Sequence, residues 1–245
     1  MQTSLDHGLW LPCRAHRAQA LDAAQAPHLP CRRKTGKRRG MKRPIAELLV
    51  VTLNPDAEAA HAHVEREAWQ ILRRKQGYVT HRIYRHLSSP LQRLIYSEWE
   101  SAKAVDGARQ HLQGTPLMRR TRTMLAASPQ RSVLAIAGPL TSTKGLDLPD
   151  NAVAASAVAQ LNTATDSWRE KEQNLWTALA SQPGHLTHLL LRGIDNHLVV
   201  GSLSHWADAD VFQKALVQID PGITAAINGA LTTGVEYVLY GLLRD

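Results

Sequence analysis

Residues 65–108 read EREAWQILRRKQGYVTHRIYRHLSSPLQRLIYSEWESAKAVDGA, and residues 172–215 read EQNLWTALASQPGHLTHLLLRGIDNHLVVGSLSHWADADVFQKA. Placed one above the other at an offset of 107, they align without a gap, and twelve of the forty-four pairs are identical. Chance gives about three, so the chain contains an internal repeat, and the repeat decides how the rest is read. The shared residues include Trp69/Trp176, Gly77/Gly184, Thr80/Thr187, His81/His188, Arg85/Arg192 and Trp99/Trp206.

Working outward, each copy shows the same order of elements. An apolar, partly β-branched stretch opens it, at 45–53 and, more weakly, at 152–161, as a first strand. Val64, Ala68, Ile71 and Leu72 then recur on one helical face, as do Trp168, Leu175 and Leu179, and Gly77 and Gly184 stop the two helices. Strands at 78–87 and 91–99, matched by 185–194 and 198–206, are joined by the polar links Ser88-Ser89-Pro90 and Asp195-Asn196 and read as hairpins. A second helix follows each Trp, over 102 to about 125 and 209 to about 231, and then a last strand at 132–136 and 235–242. The order β-α-β-β-α-β is that of the ferredoxin-like domain, in which a four-stranded antiparallel sheet carries both helices on one face. The bare face of each sheet needs a cover, so the two copies are expected to close on each other, sheet to sheet, like the halves of a barrel. The expected organisation is therefore a leader at 1–43, a first domain at 44–140, a Gly/Pro/Ser/Thr-rich linker at 141–151 and a second domain at 152–245.

The net charge of +8 raises the question of a nucleic-acid partner. Ten Lys/Arg against Asp6 and Asp22 place all of it in residues 1–43, which leaves 29 − 10 = 19 basic and 21 − 2 = 19 acidic residues for 44–245. The repeats thus carry no electrostatic footprint for nucleic acid. The leader has no hydrophobic periodicity and no apolar core of a secretory signal; it reads as an unstructured extension ahead of an alternative start at Met41, with a transit peptide or a polyanion-binding arm as other readings. Cys13 and Cys31, the two cysteines, both lie there, so the repeats hold no disulfide framework or thiol nucleophile, and no metal site is expected. No apolar run approaches the roughly 18 residues of a membrane span, so no membrane partner and a cytoplasmic location are expected. Phosphate-binding Gly-rich loops, the Gly-x-Ser-x-Gly elbow and His-Glu-x-x-His are absent from the repeats, which removes the usual marks of nucleotide, hydrolase and zinc-protease chemistry.

The first copy resembles the antibiotic biosynthesis monooxygenase family of the dimeric α/β barrel superfamily. The resemblance rests on Gly77-Tyr78-Val79-Thr80-His81-Arg82-Ile83-Tyr84-Arg85, on Glu98-Trp99-Glu100-Ser101-Ala102-Lys103-Ala104, and on His111-Leu112 followed by Thr115-Pro116-Leu117-Met118; the second copy keeps Gly184, Trp206 and the general pattern. It implies a pocket between sheet and helices in which some members oxidise phenolic or anthrone-like polyketides with molecular oxygen and no cofactor. It also implies that the second copy supplies, within one chain, the partner that single-copy members recruit as homodimers. Quinone-forming members tend to carry Asn four residues before the strand-ending Trp, where this chain has Ile95 and Ser202; haem-degrading members use a His late in the second helix, and 118–125 and 221–231 contain none.

The candidate site residues follow from the repeat and the resemblance together. His81 and His188, with an ordinary imidazole pKa near 6.5, could act as a base on a phenol, or could belong to a hydrogen-bonded ladder on one strand face. Trp99 and Trp206 could stack on a flat substrate or plug the core. Arg85, Arg192 and His111 complete the substrate-binding set, although the second copy has Gln218 where the first has His111. Trp69 and Trp176 read as packing, and periodicity alone does not tell inward from outward for Tyr78, Tyr84 and Tyr96. The expected activity is oxygenation of an aromatic or polycyclic small molecule. A non-catalytic small-molecule binder, or a polyketide cyclase or isomerase that consumes no oxygen, remains open beside it.

Overall fold

The computed structural model describes residues 44–139, 142–163 and 166–243; the leader, with Cys13 and Cys31, lies outside them. The first copy comprises β1 (Ile45–Thr52), α1 (Glu58–Leu72), β2 (Tyr78–His86), β3 (Gln92–Trp99), α2 (Ala102–Gln113), α3 (Pro116–Thr123) and β4 (Gln130–Pro139). The second comprises β5 (Val153–Gln160), α4 (Asp166–Ala180), β6 (His185–Gly193), β7 (Val199–Trp206), α5 (Ala209–Gln218), α6 (Pro221–Asn228) and β8 (Val238–Leu243). The expected second helix of each copy is in fact two. Pro116 and Pro221 cannot donate into a continuing helix, and each instead opens a new one behind a capping residue: Thr115 accepts from the Met118 amide, and Asp220 from the Gly222 amide.

Each copy pairs its strands in the ferredoxin-like order, 4-1-3-2 for the first and its equivalent for the second, and the two sheets close into one eight-stranded antiparallel barrel, β1-β3-β2-β8-β5-β7-β6-β4. Closure is made by the sheet edges. β2 bonds to β8 from Ile83↔Leu243 to His86↔Tyr240, and β4 bonds to β6 from Leu134↔Gly193 to Pro139↔Leu189. Among the described residues no strand of the barrel is left with a free edge to template pairing with another chain.

The pleat sorts side chains into three cores. Alternate residues of β3, Leu94 and Tyr96, point into the barrel with Tyr84, Leu134, Leu189, Leu191, Leu203 and Tyr240, whereas Ile95 and Trp99 face the helices with Trp69, Leu72 and Leu112. Trp176, Leu179, Trp206 and Phe212 form the matching helix-side core of the second copy. Tyr78 thus lies on the helix side and Tyr84 and Tyr96 inside the barrel.

The interior has diverged between the copies. At the 107-residue offset, Arg82, Tyr84, Tyr96 and Glu98 correspond to Leu189, Leu191, Leu203 and His205. Tyr84 reaches across the barrel to His205 Nε2 at 2.8 Å, and Tyr96 donates to Glu98 at 2.7 Å. The segment expected as a linker joins this network: the Ser142 hydroxyl and the Thr143 amide donate to Glu98, while Arg82 donates to the Thr143 and Leu146 carbonyls at 3.1 and 2.6 Å. Among the described residues no helix is long and apolar enough to cross a membrane.

Candidate functional site

The site is built where the first helix of each copy crosses the second strand. Gly77 and Gly184 turn the chain out of α1 and α4 with φ of 84° and 80°, a backbone conformation open to glycine, and deliver β2 and β6 beneath the helices. There His81 stacks on Trp69 with ring centroids 3.9 Å apart at 17°, and His188 stacks on Trp176 at 4.5 Å and 12°. The Nδ1 atom of each is held by the residue three positions earlier: the Tyr78 hydroxyl lies 2.6 Å from His81, and His185 Nε2 lies 3.3 Å from His188. In the first copy Arg73 also reaches His81 Nε2, at 3.4 Å. The same Trp–His unit is therefore made twice, with a phenol behind one imidazole and a second imidazole behind the other. Trp69 and Trp176, read from sequence as packing, are the aromatic partners, and their signal was present in the repeat: Trp and His recur together at a spacing of twelve.

The arginines also recur with different partners. Arg192 makes a two-pronged pair with Glu172, Nη1 donating to Oε1 at 2.9 Å and Nη2 to Oε2. In the first copy Arg85 pairs with Glu58, and the buried Arg93 takes Glu65 at 3.1 Å and Glu58 at 3.4 Å.

Both copies have a cleft along this seam. The one in the second copy has a volume of about 1130 Å³, and its walls include Trp168, Glu172, Trp176, His188, Arg192 and His197. The corresponding cleft in the first copy is about 390 Å³, lined by Glu58, Glu65, Arg66, Ile83, Arg85 and Arg93, while His81 opens instead on a separate cleft of about 270 Å³ with Arg73, Arg82 and Leu146. Burial, reinforced by the neighbouring His185, pushes the pKa of His188 down to about 4, so it is neutral near pH 7. Burial likewise lowers the pKa of His185.

The remaining expected site residues are not gathered here. Trp99 and Trp206 are fully buried, and each donates its indole N–H to the serine two residues earlier, Ser97 and Ser204, at 2.9 Å. Tyr78 packs against Trp99 edge-on, and His185 and Phe212 pack against Trp206, so the tryptophan faces are occupied by the protein itself. His111 is exposed in the last turn of α2. No group of three or more His, Cys, Asp or Glu side chains among the described residues is placed to hold a metal ion.

Solved structures with this architecture were found by comparison of the folds. A protein from Fusobacterium nucleatum with a provisional assignment as a monooxygenase superposes with a TM-score of 0.65 at 12% identity, covering 82% of this chain and 93% of its own. This chain has the fold of a dimeric α/β barrel, with both halves in one chain. An anthrone oxidase-like protein matches at a TM-score of 0.61 and 14% identity, over 83% of this chain and 92% of its own. A protein provisionally assigned as a chlorite dismutase matches at 0.60 and 13%, over 83% and 96%. At such identities the likeness is one of fold, and the range of assigned activities leaves the chemistry to the site. No family model and no curated protein matches the sequence.

Proposed function

We propose that the protein is a cofactor-independent, monooxygenase-like enzyme for an aromatic or polycyclic small molecule, working in the cleft of the second copy. The observation that carries this reading is a neutral imidazole, His188, lining a cleft large enough for a polycyclic ligand, with Arg192 on the same wall. In this reading Nδ1 of His188 is engaged by His185, and Nε2 accepts a proton from a phenol or an activated methylene. The substrate anion then gives its electrons to molecular oxygen; one oxygen atom stays on the carbon and the other leaves as water with the two hydrogens removed. An imidazole at about 4 is a weak base towards a phenol near 10, uphill by about 8 kcal/mol for independent groups. The reading therefore assigns to the cations a share of the work: the developing anion favours the imidazolium beside it, and Arg192, with Arg169 on the wall of the same cleft, favours the anion.

The test is oxygen uptake with a panel of anthrones, hydroquinones and catechols. Uptake is expected with at least one of them, lowered about 100-fold or more by His188→Ala and largely kept by His81→Ala; equal rates in the wild type and His188→Ala would reject the assignment.

One observation favours a second reading, a non-catalytic binder. The Trp–His stack is as well formed in the first copy, whose smaller cleft is lined by ion pairs, as in the second, so the stack has a structural use independent of substrate. A binder would retain affinity for aromatics and show no uptake with any member of the panel.

A further inference from the structure

The two clefts descend from one repeat, and the side chains that fill them have changed at corresponding positions. Arg93 on β3 and Val200 on β7 occupy the same place at the 107-residue offset, both buried and both on the helix side. His61 on α1 and Trp168 on α4 are related in the same way. In the first copy the Arg93 guanidinium fills the space under α1 and is neutralised by Glu65 and Glu58, with Arg85 closing the group through Glu58. Opening that space for a ring would strip a buried cation of its partners, a penalty far above what one ring gains by leaving water. In the second copy Val200 brings no charge. Glu172 pairs with Arg192, and Val200, Trp168 and Trp176 become apolar wall of the large cleft. The mouth of that cleft carries two guanidinium groups, Arg169 and Arg192, against the single carboxylate of Glu172.

We infer that the chain carries one aromatic-ligand site rather than the two of a symmetric pair, that the exchange of Arg93 for Val200 decides which copy holds it, and that the ligand is a planar aromatic acid. This rests on the reading of the second-copy cleft as the substrate site, and it adds the stoichiometry, the discriminating residue and the charge of the ligand.

Titration of the full chain with 9-anthracenecarboxylate and with the uncharged 9-anthracenemethanol, followed by calorimetry and by quenching of tryptophan fluorescence, tests all three. One carboxylate is expected to bind per chain, with the alcohol weaker by about tenfold. Val200→Arg is expected to weaken the carboxylate at least about tenfold with an unchanged far-UV circular dichroism spectrum, and Val200→Ile to stay within about twofold. Two equivalents per chain, equal affinity for the two ligands, or unchanged affinity in folded Val200→Arg overturns the inference and leaves the cleft reading standing. Absence of binding by the wild type removes the cleft reading, and the inference with it. Should Val200→Arg fail to fold, the wild-type stoichiometry and the preference between the two ligands still decide.

Discussion

His61, His188 and His205 are all held neutral by their surroundings, with pKa values pushed down to about 4, 4 and 3. Burial is the main cause in each; Arg93 adds to it at His61, His185 at His188, and Arg82 with His185 at His205. In the unfolded chain such imidazoles titrate near 6.5, so above that pH neither state is protonated and they contribute nothing to the pH dependence. As the pH falls from 6.5 towards 4 the unfolded chain takes up protons that the folded one refuses, and stability drops. Over their full windows, from 6.5 to about 4 and from 6.5 to about 3, the buried His61 and His205 should cost roughly 3 and roughly 5 kcal/mol, to order of magnitude. Urea unfolding at pH 7.5, 6, 5 and 4.5 is expected to show this decline, and His205→Phe, which keeps the ring and removes the titration, to flatten it. Glu47 acts in a lower range. Burial raises the pKa of its carboxyl, but Arg109, with three contacts of 2.6 to 3.1 Å, and Arg131, at 2.7 Å, outweigh this and hold it below its usual value of 4.5. Its contribution is complete above 4.5 and is lost only as the pH falls through the lowered value, so the two kinds of group separate along the pH axis.

At the level of elements, the turn out of the first helix is the joint on which the site hangs. A Cβ at Gly77 would lie 2.7 Å from Ala104 Cβ on α2, and one at Gly184 would lie 2.5 Å from Val211 Cγ1 on α5, so a positive φ and a close helix approach coincide at both positions. Gly77→Ala and Gly184→Ala should each destabilise by about 2 kcal/mol or more, read as a lower midpoint in urea with an unchanged slope. Gly184→Ala should also weaken aromatic binding, because it displaces β6, which carries His188 and Arg192; Gly77→Ala should not. The four helix starts after the strand-ending tryptophans are capped by Ser101, Asp208, Thr115 ahead of Pro116 and Asp220 ahead of Pro221, signals that the periodicity reading did not use, so it joined α2 to α3 and α5 to α6. The break is local chemistry, a proline behind a capping side chain, and not a change in apolar pattern.

For the molecule as a whole, the seams β2–β8 and β4–β6 couple the copies, and the interior core draws Leu48, Tyr84 and Leu134 from one and Ala154, Leu191 and Tyr240 from the other. Neither copy can bury this surface or pair its outer strands alone. Residues 44–140 expressed by themselves should therefore run as a dimer or larger species in size-exclusion chromatography; a stable, dispersed monomer would show that barrel closure is dispensable. Divergence across the barrel also works at this scale. Arg82, Tyr84 and Glu98 belong to one copy; Tyr84 is met inside by His205 and the other two by the 142–146 segment, so the interior no longer suits two identical halves.

The amino-acid sequence by itself determined the repeat, the order of elements, the glycine stops and the recurrence of the Trp, His and Arg that meet at the seam, because each depends on spacing or on a residue's own backbone preference. Only the tertiary structure decided which face each tyrosine takes, since a period of two looks alike from both sides of a strand. It alone showed that Trp99 and Trp206 are enclosed while Trp168 and Trp176 are open to a cleft. It also showed that one copy fills its cleft with charge and the other does not: the partners of Arg93 lie 28 and 35 residues away on another element, and no local pattern records such a pairing.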